Sequence, residues 1–332
     1  MFTEAVENIL RNLVTPVTIR AIEGGASAQP LWAAFAESGF LELMTSEDNG
    51  GAGLSLQAMA PIFVGFGRYA APLPIAQAIA ARVLLERSAT AAPHGMITLA
   101  GRCVRDADGN VTAPFVPFGM LADLVLGNLD GDTVLLDGAR ARRAASGVHG
   151  SLCGTLTWAR DAVPSPLDHR GEDVLTFSAA IHAAALAGAM DRVFAMTLQY
   201  CNERSQFGKS IGKFQAVQHQ LSVMAQHVAA TGMAAELAFA SIDRVPQRLP
   251  TAIAKARASM AVTLVASTAH ALHGAIGVTE EYDLQLYTRR MHEWRMADGS
   301  EIWWNRVVGQ ALLAQTSSVS DFIRGTVDAV VA

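Results

Sequence analysis

The chain has 332 residues, which at about 150 per domain argues for roughly two domains with a large buried core and excludes a peptide or a small disulfide module. Hydrophobic residues make up 51% and charged residues 17%, below the usual charged share of about 25%, so much surface is expected to be buried on folding or between subunits. Lys and Arg number 25 against 30 Asp and Glu, a net charge of −5 with no basic stripe, and nucleic acid is not an expected partner.

Thr3-Glu4-Ala5-Val6-Glu7 opens the chain as a capped amphipathic helix and not as a secretory leader. Helical periodicity runs to about residue 92, broken by the loop Thr45 to Gly53, whose Asn49 and glycines permit positive φ and which reads as a functional turn. From Met96 the pattern changes to short apolar runs at 96–99, 124–127 and 133–136, separated by turn chemistry at 106–110 and 130–132. Residues 93–166 are therefore expected to form a small β domain, with Pro164-Ser165-Pro166 as a linker.

Beyond Asp173 the spacing predicts helices over 175–203, 212–241 and 249–273, and a last one from about 300. Pro246 and Pro250 mark the break between the second and third. Antiparallel helices of that length close as a four-helix bundle over 167–332, after a helical first segment of 1–92. The longest apolar run, Ala179 to Met190, contains His182 and ends at Asp191, short of the ~20 residues of a membrane span, so no membrane partner is expected. Cys103, Cys153 and Cys201 are widely spaced without a CxxC, which suits a reducing compartment and makes the cytoplasm the expected location. The nine histidines are scattered, and no metal site is expected.

Three stretches carry candidate chemistry. In Tyr200 to His219 one helix ends near Arg204, Gly208 and Gly212 permit a tight turn, and another helix begins by Phe214. Arg204, Gln206, Phe207 and Gln215 at that corner suit a planar anionic ligand such as a dinucleotide, although composition alone favours an ordinary corner with a solvated Arg and a packed Phe. In His270 to Thr279, Gly274 and Gly277 allow close backbone approach to a pyrophosphate, while a helix C-cap explains one glycine equally well. Ala297-Asp298-Gly299-Ser300-Glu301 enters the last helix, where Asp298 or Ser300 can serve as the N-cap.

Taken in order, these segments resemble the acyl-CoA dehydrogenase family. Leu31-Trp32 through Gly39-Phe40, Glu47 to Gly53, Phe66-Gly67-Arg68 and Pro72-Leu73-Pro74 are similar to its N-terminal stretch. Glu203-Arg204-Ser205-Gln206-Phe207-Gly208-Lys209, with Phe214-Gln215-Ala216-Val217-Gln218-His219, resembles its long signature, and His273-Gly274-Ala275-Ile276-Gly277-Val278-Thr279 with Arg289-Arg290 resembles a third motif. The resemblance implies an α+β fold: a helical N-terminal domain, a small middle β-barrel and a C-terminal four-helix bundle. It further implies FAD between barrel and bundle, with Arg204, Gln206, Phe207, Gln215, His273, Gly274 and Gly277 as cofactor-binding residues, some facing a cofactor seated in the neighbouring subunit.

The implied chemistry is α,β-dehydrogenation of an acyl-CoA, with electrons passed to a separate acceptor. The family's commonest base is a Glu before "GT" at the entry to the last helix; here that position is Asp298, about 1.5 Å shorter in reach. Asp298 is the candidate catalytic residue. Met96 to Trp158 holds no counterpart of the family's "TEP…GSD" segment, and Ala271 and Ala275 replace a Gln and a Gly. The short middle domain and the His273 to Arg290 motif resemble a small branch whose related chains assemble as α2β2 heterotetramers on bulky, including steroid side-chain, acyl-CoAs. A homo-oligomer or such a heterotetramer is expected, the alternative function being a non-catalytic subunit that completes a partner's flavin site. Ala179, Ala180, Ala183 and Ala184 either line a roomy substrate cavity or pack helices closely.

Overall fold

Local capping chemistry accounts for the first helices. The computed structural model describes residues 2–241 and 243–331. Helix α1 (Phe2–Leu13) is amphipathic and buries Val6 and Leu10. Helix α2 (Pro16–Glu23) starts where Thr15 Oγ1 accepts the Thr18 N–H at 3.2 Å and Pro16 needs no partner. After α3 (Gln29–Glu37), α4 (Leu56–Arg68) is capped by Ser55, and α5 (Ile75–Arg87) is buried from Ile75 to Leu85 without a break. The 45–53 loop is a clasp: Glu86 of α5 accepts from Ser46 and, at 2.7 Å, from Asn49, and pairs with Arg244 at 2.6 Å. Burial works against a charge at Glu86, yet Arg244, Ser46 and Asn49 together outweigh it and hold the carboxyl down at about 2. The turn that reads as functional thus ties distant segments together.

Seven strands follow: β1 (Ile97–Arg105), β2 (Val111–Val116), β3 (Leu124–Leu129), β4 (Asp132–Asp137), β5 (Arg142–Ala145), β6 (Gly154–Trp158) and β7 (Leu167–Arg170). They form one sheet in the order β5-β6-β2-β1-β3-β4-β7. β1 runs parallel to β3 along its first half and antiparallel to β2 at its end, with a register shift between Ala100 and Cys103. The two halves of the sheet share one apolar core that includes Val111, Leu136, Leu156 and Trp158. The predicted turns are present: Asp106 Oδ1 accepts the Asp108 and Asn110 amides, and Asp130 and Gly131 take positive φ. Strand pairing continues past the Pro164–Pro166 segment into β7.

The third part holds α6 (Gly171–Glu203), a short hairpin of β8 (Ser205–Gln206) and β9 (Lys209–Ser210), α7 (Gln215–Ala238), α8 (Arg248–His273), α9 (Leu284–Met296), α10 (Glu301–Leu313) and α11 (Val319–Val331). Helix α6 is the centre of the molecule and packs on α4, α7, α8, α9 and β1. Among the described residues, two stretches, Gly171–Glu203 and Arg248–Val278, are long and apolar enough to cross a membrane by length and composition, and the apolar window of the first is 89% buried inside the protein. Pro250, expected in a break, sits in the first turn of α8, where a missing N–H costs nothing. Helix α9 is not anticipated by periodicity, because Arg289, Arg290, His292, Glu293 and Arg295 dilute its apolar stripe; Arg289 and Arg290 are absorbed by the buried carboxylate of Glu23. Ala179, Ala180, Ala183 and Ala184 are fully buried in helix packing, Ala179 against Ala252, Ala256 and Trp304, and line no part of the large cavity described below.

Candidate active site

A cavity of about 890 Å³ lies between the sheet and the helical bundle. Its walls come from Ala100 to Arg102 of β1, Pro114 to Pro117, the 147–153 loop, Leu175 and His182 of α6, and the segment from Met296 to Gly299. That segment is the turn from α9 into α10. Asp298 sits there at φ +53° and Gly299 at φ +104°, and Trp304 Nε1 donates to the Asp298 carbonyl at 3.0 Å. The left-handed backbone re-aims the short carboxylate into the space between β1 and α6. Gly101 makes room for it, since a Cβ there would overlap Asp298 Oδ1.

Asp298 Oδ2 lies 2.9 Å from His182 Nδ1, and their side chains are 8% and 2% exposed. The pair was not foreseen; its only trace in the sequence is a single His inside an apolar helical run. The neighbouring carboxylates are otherwise engaged. Glu301 pairs with Arg295, Glu172 with Arg248 and Arg170, and Asp173 with His169 at 3.2 Å. Glu293, also at the cavity wall, accepts the Val148 N–H at 3.1 Å.

Beneath the turn, the fully buried Lys255 of α8 donates from Nζ to Ser259 Oγ at 3.0 Å and to the Arg295 and Gly299 carbonyls at 2.9 Å each. Burial pushes this ammonium from 10.5 down to about 7, against the upward pull of Asp298 and Glu301. In the unfolded chain the same group stays charged to about pH 10.4, so above about pH 7 the unfolded state holds the extra proton and stability rises with pH. Lys255→Met removes this rise, takes the side-chain donor from the Gly299 carbonyl and leaves the Arg295 carbonyl only the Ser259 hydroxyl at 3.2 Å, at a cost of about 1–3 kcal/mol. Urea denaturation is expected to show the gap between wild type and variant widening from pH 7 to pH 10. A constant gap would mean that Lys255 does not titrate in this window.

The motif residues gather at the opposite end of α6. Arg204 closes α6, and the β8–β9 hairpin carries Gln206 and Phe207, the latter 92% exposed at φ +53°. Gln215 opens α7 and is exposed, as is Gly274 at φ +65°. His273 is buried, its ring stacked on Tyr200 at 4.5 Å and tilted against Tyr282 at 5.1 Å. Gly277 is buried too, because a Cβ there would stand 2.8 Å from His273 Cβ. The Tyr200–His273 stack, absent from the sequence reading, joins the two motifs. Eighteen residues separate His182 from Tyr200 on α6, so the motifs lie about 27 Å along the helix from Asp298 and do not share its cavity within one protomer. Two buried ring nitrogens at this bend, His270 Nδ1 and His273 Nε2, have no hydrogen-bond partner among the described residues. Among the described residues, no three His, Cys, Asp or Glu side chains gather in a metal-binding arrangement, and the three cysteines are buried and unpaired.

Helices flank a bent sheet on one side and form a bundle on the other, with a carboxylate aimed into the cleft between them, an architecture that comparison with known families places. The acyl-CoA dehydrogenase N-terminal domain model matches residues 1–92 and the acyl-CoA dehydrogenase C-terminal domain model matches residues 172–313. The chain belongs to the acyl-CoA dehydrogenase family and is an oxidoreductase acting on acyl-CoA. It is 27% identical to acyl-CoA dehydrogenase IpdE2 of Mycobacterium tuberculosis over 88% of this chain and 90% of that one. In structure it resembles the ChsE4-ChsE5 complex from Mycobacterium tuberculosis, with a TM-score of 0.82 and 21% identity over 95% of this chain and 97% of that one. It also resembles the Tcur3481-Tcur3483 steroid ACAD, with a TM-score of 0.80 and 24% identity over 94% and 96% of the two chains.

Proposed function

We propose that this chain, with bound FAD, catalyses the α,β-dehydrogenation of a bulky acyl-CoA thioester, assembled with copies of itself or with a related chain and passing electrons to a separate acceptor. The observation that carries this reading is a buried carboxylate–imidazole pair at the wall of a cavity of about 890 Å³. That volume lies within the ~300–1,000 Å³ range of small-molecule sites, and a steroid ACAD among the structural neighbours supports a large acyl group.

The residues present fit FAD. The bend at Gly274 has open space where a Cβ would sit, beside two imidazole nitrogens with no hydrogen-bond partner among the described residues. Arg204, Gln206, Phe207, Gln215 and Gly274 face outward about 27 Å along α6 from the cavity, which suits contact with the far end of a cofactor seated in a neighbouring subunit. His273 and Gly277 hold the bend in shape from within. Bound flavin supplies the hydride acceptor for the substrate β-carbon. Pro114, Phe115, Leu175 and Trp303 give the cavity apolar walls for the acyl group, and the proton leaves the α-carbon at the Asp298–His182 end.

The test is a purification of the chain, alone and with a co-encoded homologue, followed by anaerobic titration with a steroid side-chain acyl-CoA. Flavin absorbance is expected to bleach as a product two mass units lighter appears. Bound flavin that no acyl-CoA bleaches, or no flavin in either preparation, overturns the proposal.

A further inference from the structure

We infer that the atom receiving the substrate proton is His182 Nε2, with Asp298 as the residue that orients and charges it. This rests on the dehydrogenation proposed above and assigns its base. Two lone pairs cannot face each other at 2.9 Å, so a hydrogen lies between His182 Nδ1 and Asp298 Oδ2. With the carboxylate ionised, that hydrogen is on Nδ1 and the lone pair is on Nε2. Nε2 has no hydrogen bond to any described residue, and the ring lines the cavity.

The competing acceptors are worse placed. Asp298 spends Oδ2 on the imidazole and presses Oδ1 against Gly101, while Trp304 and Lys255 pin the turn through the Asp298 and Gly299 carbonyls. Glu293 spends Oε2 on the Val148 amide at 3.1 Å. In the step, the Cα–H bond breaks, the proton goes to Nε2, and the electron pair forms the Cα=Cβ bond. Bound flavin would supply the two-electron acceptor for the hydride leaving Cβ, and the new imidazolium stands 2.9 Å from the Asp298 carboxylate, which stabilises it.

Two measurements decide it. In protein carrying 15N-labelled histidine, the His182 signals are identified by their loss in His182→Gln. The expected form is the neutral Nδ1–H tautomer in wild type, shifting toward Nε2–H in Asp298→Ala; an Nε2–H tautomer in wild type overturns the inference. Independently, exchange of the α-hydrogen of a saturated acyl-CoA with D2O is followed by NMR without electron acceptor. His182→Gln and Asp298→Ala are each expected to slow exchange at least about 100-fold, and the double variant is expected to be no slower than His182→Gln, as for residues acting as one unit. Wild-type exchange in His182→Gln, or losses that multiply in the double variant, overturns the assignment while leaving the dehydrogenation standing. No exchange in wild type overturns the dehydrogenation and this inference with it.

Discussion

Gly101→Ala is expected to lower turnover at least about a hundredfold while the protein stays folded and its melting midpoint moves by only a few degrees. The added Cβ would overlap Asp298 Oδ1 and stand 2.7 Å from Leu175 Cδ1, so either the carboxylate or β1 must give way. If Asp298 yields, its 2.9 Å contact with His182 is lost; if the strand yields, the cavity wall moves. A displacement of about 1 Å at a reacting centre costs about a hundredfold in rate. Both neighbours are side-chain ends that can swing, which is why stability suffers less than rate. The comparison needs steady-state rates and thermal melts on the same preparations. Near-normal turnover in a folded variant would show that Asp298 and β1 need not be in contact for catalysis.

Gly188→Val is expected to have the largest effect on stability, roughly 3 kcal/mol or more, and to give either insoluble protein or a melting midpoint lower by about 6–12 °C. Helices α4 and α6 cross at two glycines that face each other's backbone. A Cβ at Gly188 would overlap the Val64 carbonyl oxygen and stand 2.6 Å from the Arg68 nitrogen, and one at Gly67 would stand 2.5 Å from Ala185 Cα. Backbone atoms cannot rotate aside as a side chain does. The helices must part instead, opening the seam where Phe63 meets the edge of Phe177 at 6.4 Å. Gly188→Ala is expected to act in the same direction and less strongly. An unchanged melting curve for the valine variant would contradict the crossing itself.

Both glycines are ordinary in the sequence. Gly67 belongs to a motif stretch, but nothing near Gly188 or Gly101 distinguishes them from other small residues, because what they make room for lies far along the chain. The same holds for Lys255, a cation in a largely apolar helix, two of whose three partners are carbonyls 40 and 44 positions away.

What the amino-acid order determined by itself was everything encoded in short-range periodicity and contiguous motifs. Helices gave way to strands at the first apolar alternation after Met96, Asp106 and Gly131 marked turns, and the Glu203 to His219 stretch carried the family resemblance intact. Helix propensity, capping and turn chemistry act over a few residues, so they can be read along the chain. Only the folded chain decided the rest. Helix α9 exists because Glu23, 267 positions from Arg290, neutralises its charges, and Asp298 meets a histidine 116 positions earlier that periodicity treats as an interruption in a core helix. The alanines of α6, open to either reading in sequence, are committed to packing by the helices that surround them. A buried charge is tolerable only with its partner in place, and partners drawn from opposite ends of the chain leave no local signature.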